Sequence, residues 1–398
     1  MKLPALAFRY LWARPLATVL NLLLLTLGLA SVTFVVLVGE QVQRALQRDL
    51  AGIDLVVGAK GSPMQLILAG VFHIDVPPGN VKLADVQALA AQPQVAQVIP
   101  LSLGDSYRGW RIVGTTPAYL AHHGARVAQG RAWSAPMEAV AGAQAARAMG
   151  MAPGARFVGG HGLAAGGQSH GEAPYVLTGV LAPCGCVLDR LILTSTESVW
   201  QVHEPAHGGQ AGESADHAAE REVTLALVRY RTPLAAVALP RYVNTRTPMQ
   251  AAAPAVEVSR LLRLLGVGGE VLQGVGAVLL LTAGLSVFIA LWTAVRERRA
   301  DLAMLRMLGA SPARVAGLLL AEALWLAVLA TVLGLALGHG LAAAVASVLA
   351  AQQSLPLSAA VWVPQEAWIP AVALLTAGAA AALPALGAYR VDVAQLLQ

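Results

Sequence analysis

Charge is what this sequence has least of. Asp, Glu, Lys and Arg make up 12% of its 398 residues, while 57% are hydrophobic. Soluble domains carry roughly 25% charged residues, so an ordinary soluble globular chain is excluded. Lysine is limited to Lys2, Lys60 and Lys82. No nucleic-acid module is recognisable, and the net charge of +5 is mostly arginine, for which anionic headgroups are the obvious neighbours. A phosphate loop is also missing. In Gly58-Ala59-Lys60-Gly61-Ser62 the lysine precedes the last glycine, whereas the Walker pattern needs it to follow and reach the phosphates. The chain therefore has no ATP site, and ATP-driven work needs a partner. Gly167-Gln168-Ser169-His170-Gly171 matches G-x-S-x-G, but a nucleophile elbow joins a strand to a helix, and here a glycine-rich stretch precedes it and a strand follows. No nucleophile–base pair is visible, so the chain does not read as an enzyme.

The apolar residues gather in four runs, at 16–38, 275–295, 315–337 and 369–388. Each suits a membrane crossing, which takes about 20 residues. The first exceeds the roughly 7–15 apolar residues of a signal peptide and reads as a retained anchor. Arginines fix the sides. Arg296, Arg298, Arg299, Arg306 and Arg314 lie between the second and third runs, and 351–366 has no Lys or Arg. By the positive-inside rule, 1–15, 296–314 and 389–398 are cytoplasmic, and 39–272 and 338–368 are external. The expected fold is a membrane protein of four transmembrane α-helices, with a large α+β extracytoplasmic domain between the first and second.

That domain is long enough for its own core. Apolar and β-branched runs predict strands at 54–57, 95–100, 110–114, 175–181, 191–193 and 222–230. Helices are predicted at 63–71, 84–91 and 138–149, the last ending at Gly150. The Gly/Ala/His-rich stretches 159–171 and 204–217 read as loops. An amphipathic helix at 256–265 carries Arg260 and Arg263 on its polar side and reads as a stalk running into the second span.

The stretch from Arg296 to Ser311 has the form R-x-R-R-x-x-x-A-x-L-R-x-L-G-A-S. It resembles the loop after the second span of FtsX-like, MacB-type ABC transporter permeases, the type VII, mechanotransmission class. Val140-Ala141-Gly142 with Ala146 and Gly150 resembles a segment of MacB-like external domains. So do Thr178-Gly179-Val180-Leu181 and Leu188-Asp189-Arg190. Pro384-Ala385, Ala388, Arg390, Asp392 and Leu397 resemble the closing motif of the family, with Val393 where proline is usual. The resemblance implies a bacterial inner-membrane permease that docks on a separate cytoplasmic ABC ATPase, which binds the ATP. It also implies a homodimer that moves a substrate outside the membrane by mechanotransmission, with a periplasmic partner. The ATPase-coupling residues it implies are Arg296, Arg298, Arg299, Leu305, Arg306, Leu308 and Gly309. A further block, Gly58–Pro63 with His73-Ile74-Asp75-Val76-Pro77, resembles a subgroup of such permeases and carries no role over.

Cys184-Gly185-Cys186 is external, hence in an oxidising space. It reads either as two buried cysteines or a local disulfide, or as a soft metal or redox site. Thiolate and imidazole suit Zn and Cu. All nine histidines fall on or near the external side, but the C-x-x-C and H-x-x-x-H spacing of zinc sites is missing. Two alternatives to the transporter follow: a membrane-anchored sensor or scaffold without an ATPase, and extracytoplasmic Zn/Cu handling through Cys184, Cys186 and histidines. Glu322, early in the third span, reads either as functional or as a surface-facing or Arg-paired residue. Gly334-x-x-x-Gly338 allows close helix packing.

Overall fold

The computed structural model describes residues 3–13, 15–162, 174–203, 221–297, 304, 306–351 and 357–389. They form two compact units. One holds Met1–Gln43 and Leu264–Gln398, the other Arg44–Arg263.

The first unit is helical. Each of the four apolar runs lies inside a longer helix: Pro15–Leu50, Pro254–Glu297, Pro312–Ala351 and Trp368–Tyr389. Four helical segments are long and apolar enough to cross a membrane. Their shared core is Leu25, Leu29, Ala283, Val287, Ala323, Ala327, Ala373 and Ala377, among others. Alanine dominates because the helices approach closely where side chains are small. A short helix, Leu3–Leu11, packs beside the third span. There Trp325 donates its indole N–H to the Pro4 carbonyl at 3.1 Å, and its ring meets Phe8 edge-on at 5.3 Å.

Glu322 is buried, so the surface-facing reading does not hold. It lines a cavity of about 40 Å³ with Tyr10, Thr18 and Asn21. A charged side chain among spans is costly facing lipid and is tolerated toward a polar interior. The neighbours supply that interior.

The second unit is α+β. A four-stranded antiparallel sheet runs in the order Met249–Ala252 (β14), Leu55–Ala59 (β1), Leu225–Tyr230 (β13), Val95–Leu101 (β3). Helices Leu83–Ala90 and Ala235–Arg246 cover it, contributing Val86, Leu89, Leu239 and Val243 to its core. A second, mixed sheet holds Val127–Gly130 (β6), Tyr175–Leu181 (β10), Glu138–Ala141 (β7), Ile192–Ser195 (β11), Trp110–Thr115 (β5), Asp105–Tyr107 (β4) and Gly160–His161 (β9), in that order. Arg156–Phe157 (β8) pairs at its side with β10, and Val81–Lys82 (β2) pairs with Glu222–Val223 (β12) in a two-stranded ribbon. β10 pairs with β7, and β11 with β5, in parallel. Trp110, Ile112, Tyr175, Leu177 and Ile192 fill its core.

The helix expected over 138–149 is a strand followed by a helix. Glu138–Ala141 lies between β10 and β11, and the helix begins at Ala143. Gly142 makes the break. A Cβ there would lie 2.0 Å from the Leu188 carbonyl oxygen, so the backbones touch. The Gly142 amide donates to the Leu191 carbonyl at 2.8 Å. Two of the three segments that resemble MacB-like domains, around Gly142 and around Asp189, thus meet in one contact. Of the predicted loops 159–171 and 204–217, residues 163–171 and 204–217 lie outside the described residues.

Candidate functional site: the arginine-rich turn and the cysteine loop

The turn between the second and third spans is built by local signals. Arg296 is exposed on the helix Pro254–Glu297. Arg298, Arg299 and Leu305 lie outside the described residues. A last helical turn closes through the Leu308 amide on the Met304 carbonyl at 3.0 Å and the Gly309 amide on the Arg306 carbonyl at 3.0 Å. Gly309 stops it in the left-handed region, φ +96°, where a side chain is strained. The next helix starts at once. Pro312 opens it, and the Arg314 amide bonds the Ser311 carbonyl at 2.9 Å. Serine before proline is a strong start signal. The G-A-S-P sequence is therefore a stop followed by a start, with two residues between Gly309 and Pro312.

The surface this leaves is apolar. Leu308 is 82% exposed, and Met304 and Met307 are also exposed. Arg306 is half-buried beside them. Exposed apolar side chains beside Arg306, between two spans, make a surface suited to another protein.

Cys184 and Cys186 are joined in a disulfide, so in this state they offer no thiolate. The loop is held by carboxylates. Asp189 accepts the Cys184 amide at 3.0 Å and the Gly185 amide at 2.7 Å. Asp49, at the end of the helix Pro15–Leu50, accepts the Val187 amide at 2.9 Å, and Arg48 donates to the Gly185 carbonyl. Burial pushes the Asp49 carboxyl up to about 6, against the lowering effect of the Val187 amide and of Arg190. Burial likewise lowers the buried guanidinium of Arg190, although Asp49 and Asp189 oppose it. Desolvation outweighs attraction on both partners. The loop is a structural clamp in this form. Among the described residues, the group with metal-ligand spacing is Asp105, His161 and His203. Sequence reasoning missed it because the three positions are far apart in the chain.

Two family descriptions cover the chain. The MacB-like periplasmic core domain matches residues 18–227, and the FtsX-like permease C-terminal region matches 274–393. The chain belongs to the MacB/FtsX-like ABC transporter permeases. It is a multi-pass inner-membrane permease with a periplasmic domain between its first and second spans. The pyoverdine export ATP-binding/permease protein PvdT of Pseudomonas fluorescens (strain Pf0-1) is 32% identical over 96 residues. That match takes in 24% of this chain and only 14% of PvdT. Among solved structures, the periplasmic region of MacB from Actinobacillus actinomycetemcomitans superposes with a TM-score of 0.34 at 12% identity, over 54% of this permease and 97% of that chain. The extracellular domain of the noncanonic ABC-type transporter YknZ from Gram-positive bacteria gives 0.30 at 13% identity, over 50% and 98%.

Proposed function

We propose that this permease is the membrane subunit of an ABC transporter whose ATP is bound by a separate cytoplasmic subunit. ATP-driven closure of the ATPases moves the 296–310 element. The second span and its extension back to Pro254 carry that motion to the periplasmic domain. There the work is extraction or export of a substrate. The observation that carries this reading is the exposed Met304, Met307 and Leu308 surface beside Arg306, capped at Gly309. The single helix from Pro254 to Glu297 supports the transmission step. PvdT is named for export, and the reading here takes the same direction.

Two copies would complete the transporter. Val271, Val275, Val278, Leu281, Leu285, Ile289 and Trp292 are all exposed on the second span. Their spacing of three and four places them on one face. A second copy packing there would bury a continuous apolar stripe.

The test is affinity purification in mild detergent with mass spectrometry and an ATPase assay. A roughly equimolar ATPase is expected to accompany the wild type. L305D/L308D should remain in the membrane and lose the coupled ATPase activity. Unchanged coupling in that variant would overturn the docking assignment. A purified complex without any ATPase would favour a membrane-anchored scaffold.

A further inference from the structure

Asp105 opens the strand β4 and lies directly opposite His161 in β9. The register is pinned by the Gly162 amide on the Gly104 carbonyl at 2.9 Å. His203 comes from elsewhere, as the last residue of the helix Thr196–His203. The carboxylate faces both rings: His161 Nδ1 is 3.3 Å from Oδ1, and His203 Nε2 is 3.5 Å from Oδ2. One ligand atom from each of the three residues falls within 4.8 Å of the others. The Asp105 side chain is 2% exposed, whereas His161 and His203 are 52% and 34% exposed. A buried carboxylate thus forms the floor and two imidazoles form an accessible mouth. His203 also lines a cleft of about 320 Å³ with Asn80, Ser102, Trp200 and Arg221.

Three features favour a cation over a simple ion pair. A charge-assisted N–H···O bond shortens to about 2.7–2.9 Å. The separations here, 3.3 and 3.5 Å, are longer. Each, one to Oδ1 and one to Oδ2, is near the roughly 3.4 Å that separates two ligand atoms of a tetrahedral ion with bonds near 2.1 Å. The two imidazole rings are stacked, 5.0 Å between centroids and 28° between planes. The stacking turns one nitrogen of each ring toward the same carboxylate. A divalent ion serves all three groups at once. Finally, the donor set is two imidazole nitrogens and one carboxylate, a combination that also holds zinc through three protein ligands elsewhere.

We propose that Asp105, His161 and His203 form a binding site for a divalent late first-row metal ion, of which Zn²⁺ is the representative. The ion fastens the sheet edge at β4 and β9 to the end of the helix Thr196–His203. His161 lies within the Gly/Ala/His-rich stretch 159–171, and His203 directly precedes the stretch 204–217. The disulfide at Cys184 and Cys186 takes no part.

The experiment uses the full chain in detergent, stripped with chelator and titrated with zinc chloride alone, with no ATP and no ATPase present. Its outcome is therefore independent of the transporter reading. Metal content after equilibrium dialysis and melting temperature are read together, and Co²⁺ absorption reports the ligands. One equivalent of Zn²⁺ should bind the wild type and raise its melting temperature. H161A/H203A, which truncates exposed side chains, should lose that equivalent while melting as the metal-free wild type does. D105N should weaken binding by at least roughly the ten- to hundredfold that outer-shell losses alone produce. H170A/H207A/H217A, the control for the neighbouring segments, should retain it. Equal binding by wild type and H161A/H203A would overturn the site. So would no binding by the wild type at about 100 μM Zn²⁺, far above the affinity of a zinc site, which would leave a His–Asp ion pair only.

Discussion

Gly338 is pressed against Thr33: a Cβ on the glycine would lie 2.6 Å from the threonine Cβ. One turn earlier, a Cβ on Gly334 would lie 2.7 Å from the Leu29 Cβ. The G-x-x-x-G pair of the third span therefore packs the first span of the same chain. The Thr33 hydroxyl is turned to the Leu29 carbonyl of its own helix at 2.8 Å, which leaves its methyl side for the contact.

G338L should accordingly force the two spans apart. Overpacking of a close contact costs about 1–3 kcal/mol. A lower melting temperature in detergent, with unchanged insertion, is the expected result. A variant melting with the wild type would show that the contact is loose.

The Gly142 contact predicts a larger effect in the periplasmic domain. G142A places a methyl group where the Leu188 carbonyl oxygen already is. The nearest atoms, of Leu188 and Asp189, are backbone, so they cannot rotate away. A loss above about 3 kcal/mol is expected, in the range of severe core changes. Limited proteolysis of the full chain at rising temperature would detect it.

Asp49 predicts a pH dependence. Its carboxyl is raised from 3.8 to about 6 by burial. A raised acid favours the folded state when protonated. That contribution is complete below pH 3.8 and is lost as pH rises to about 6, a change on the order of 3 kcal/mol. D49N removes it, since Asn keeps an oxygen for the Val187 amide. Melting temperatures of wild type and D49N should therefore diverge between pH 4 and pH 7, with the wild type falling relative to the variant. Parallel curves would contradict the assignment.

Gly309 predicts a functional defect without a global one. G309V puts a β-branched residue at φ +96°, at a cost of about 1–3 kcal/mol. The strain is confined to an exposed turn. The variant should insert and fold, yet show reduced coupled ATPase activity in the reconstituted complex.

The membrane architecture was legible because lipid leaves so few options. Four apolar runs and the arginine distribution specify it. Strands such as Tyr175–Leu181 and Trp110–Thr115 were equally readable, since both are rich in β-branched or aromatic residues. Glu138–Ala141 was not. Its Ala-Val-Ala sequence continues into Ala143–Met149 without a change of composition, and pairing with β10 and β11, a tertiary effect, decides for strand. Met249–Ala252 was missed for the same reason, as Met, Gln and Ala give no strand signal until β1 lies alongside. The Asp105, His161 and His203 group has no sequence spacing at all. It depends on a two-residue strand pairing and on where one helix stops.

The helix Pro254–Glu297 contains Gly266-Val267-Gly268-Gly269, just where the chain passes from one compact unit to the other. Each glycine makes a helix about 0.8–1 kcal/mol easier to open than alanine does. Three of them within four positions put the cheapest place to unwind this 44-residue rod near its first third. On the mechanism proposed above, these glycines are where the rod would give first under a push from its arginine-rich end.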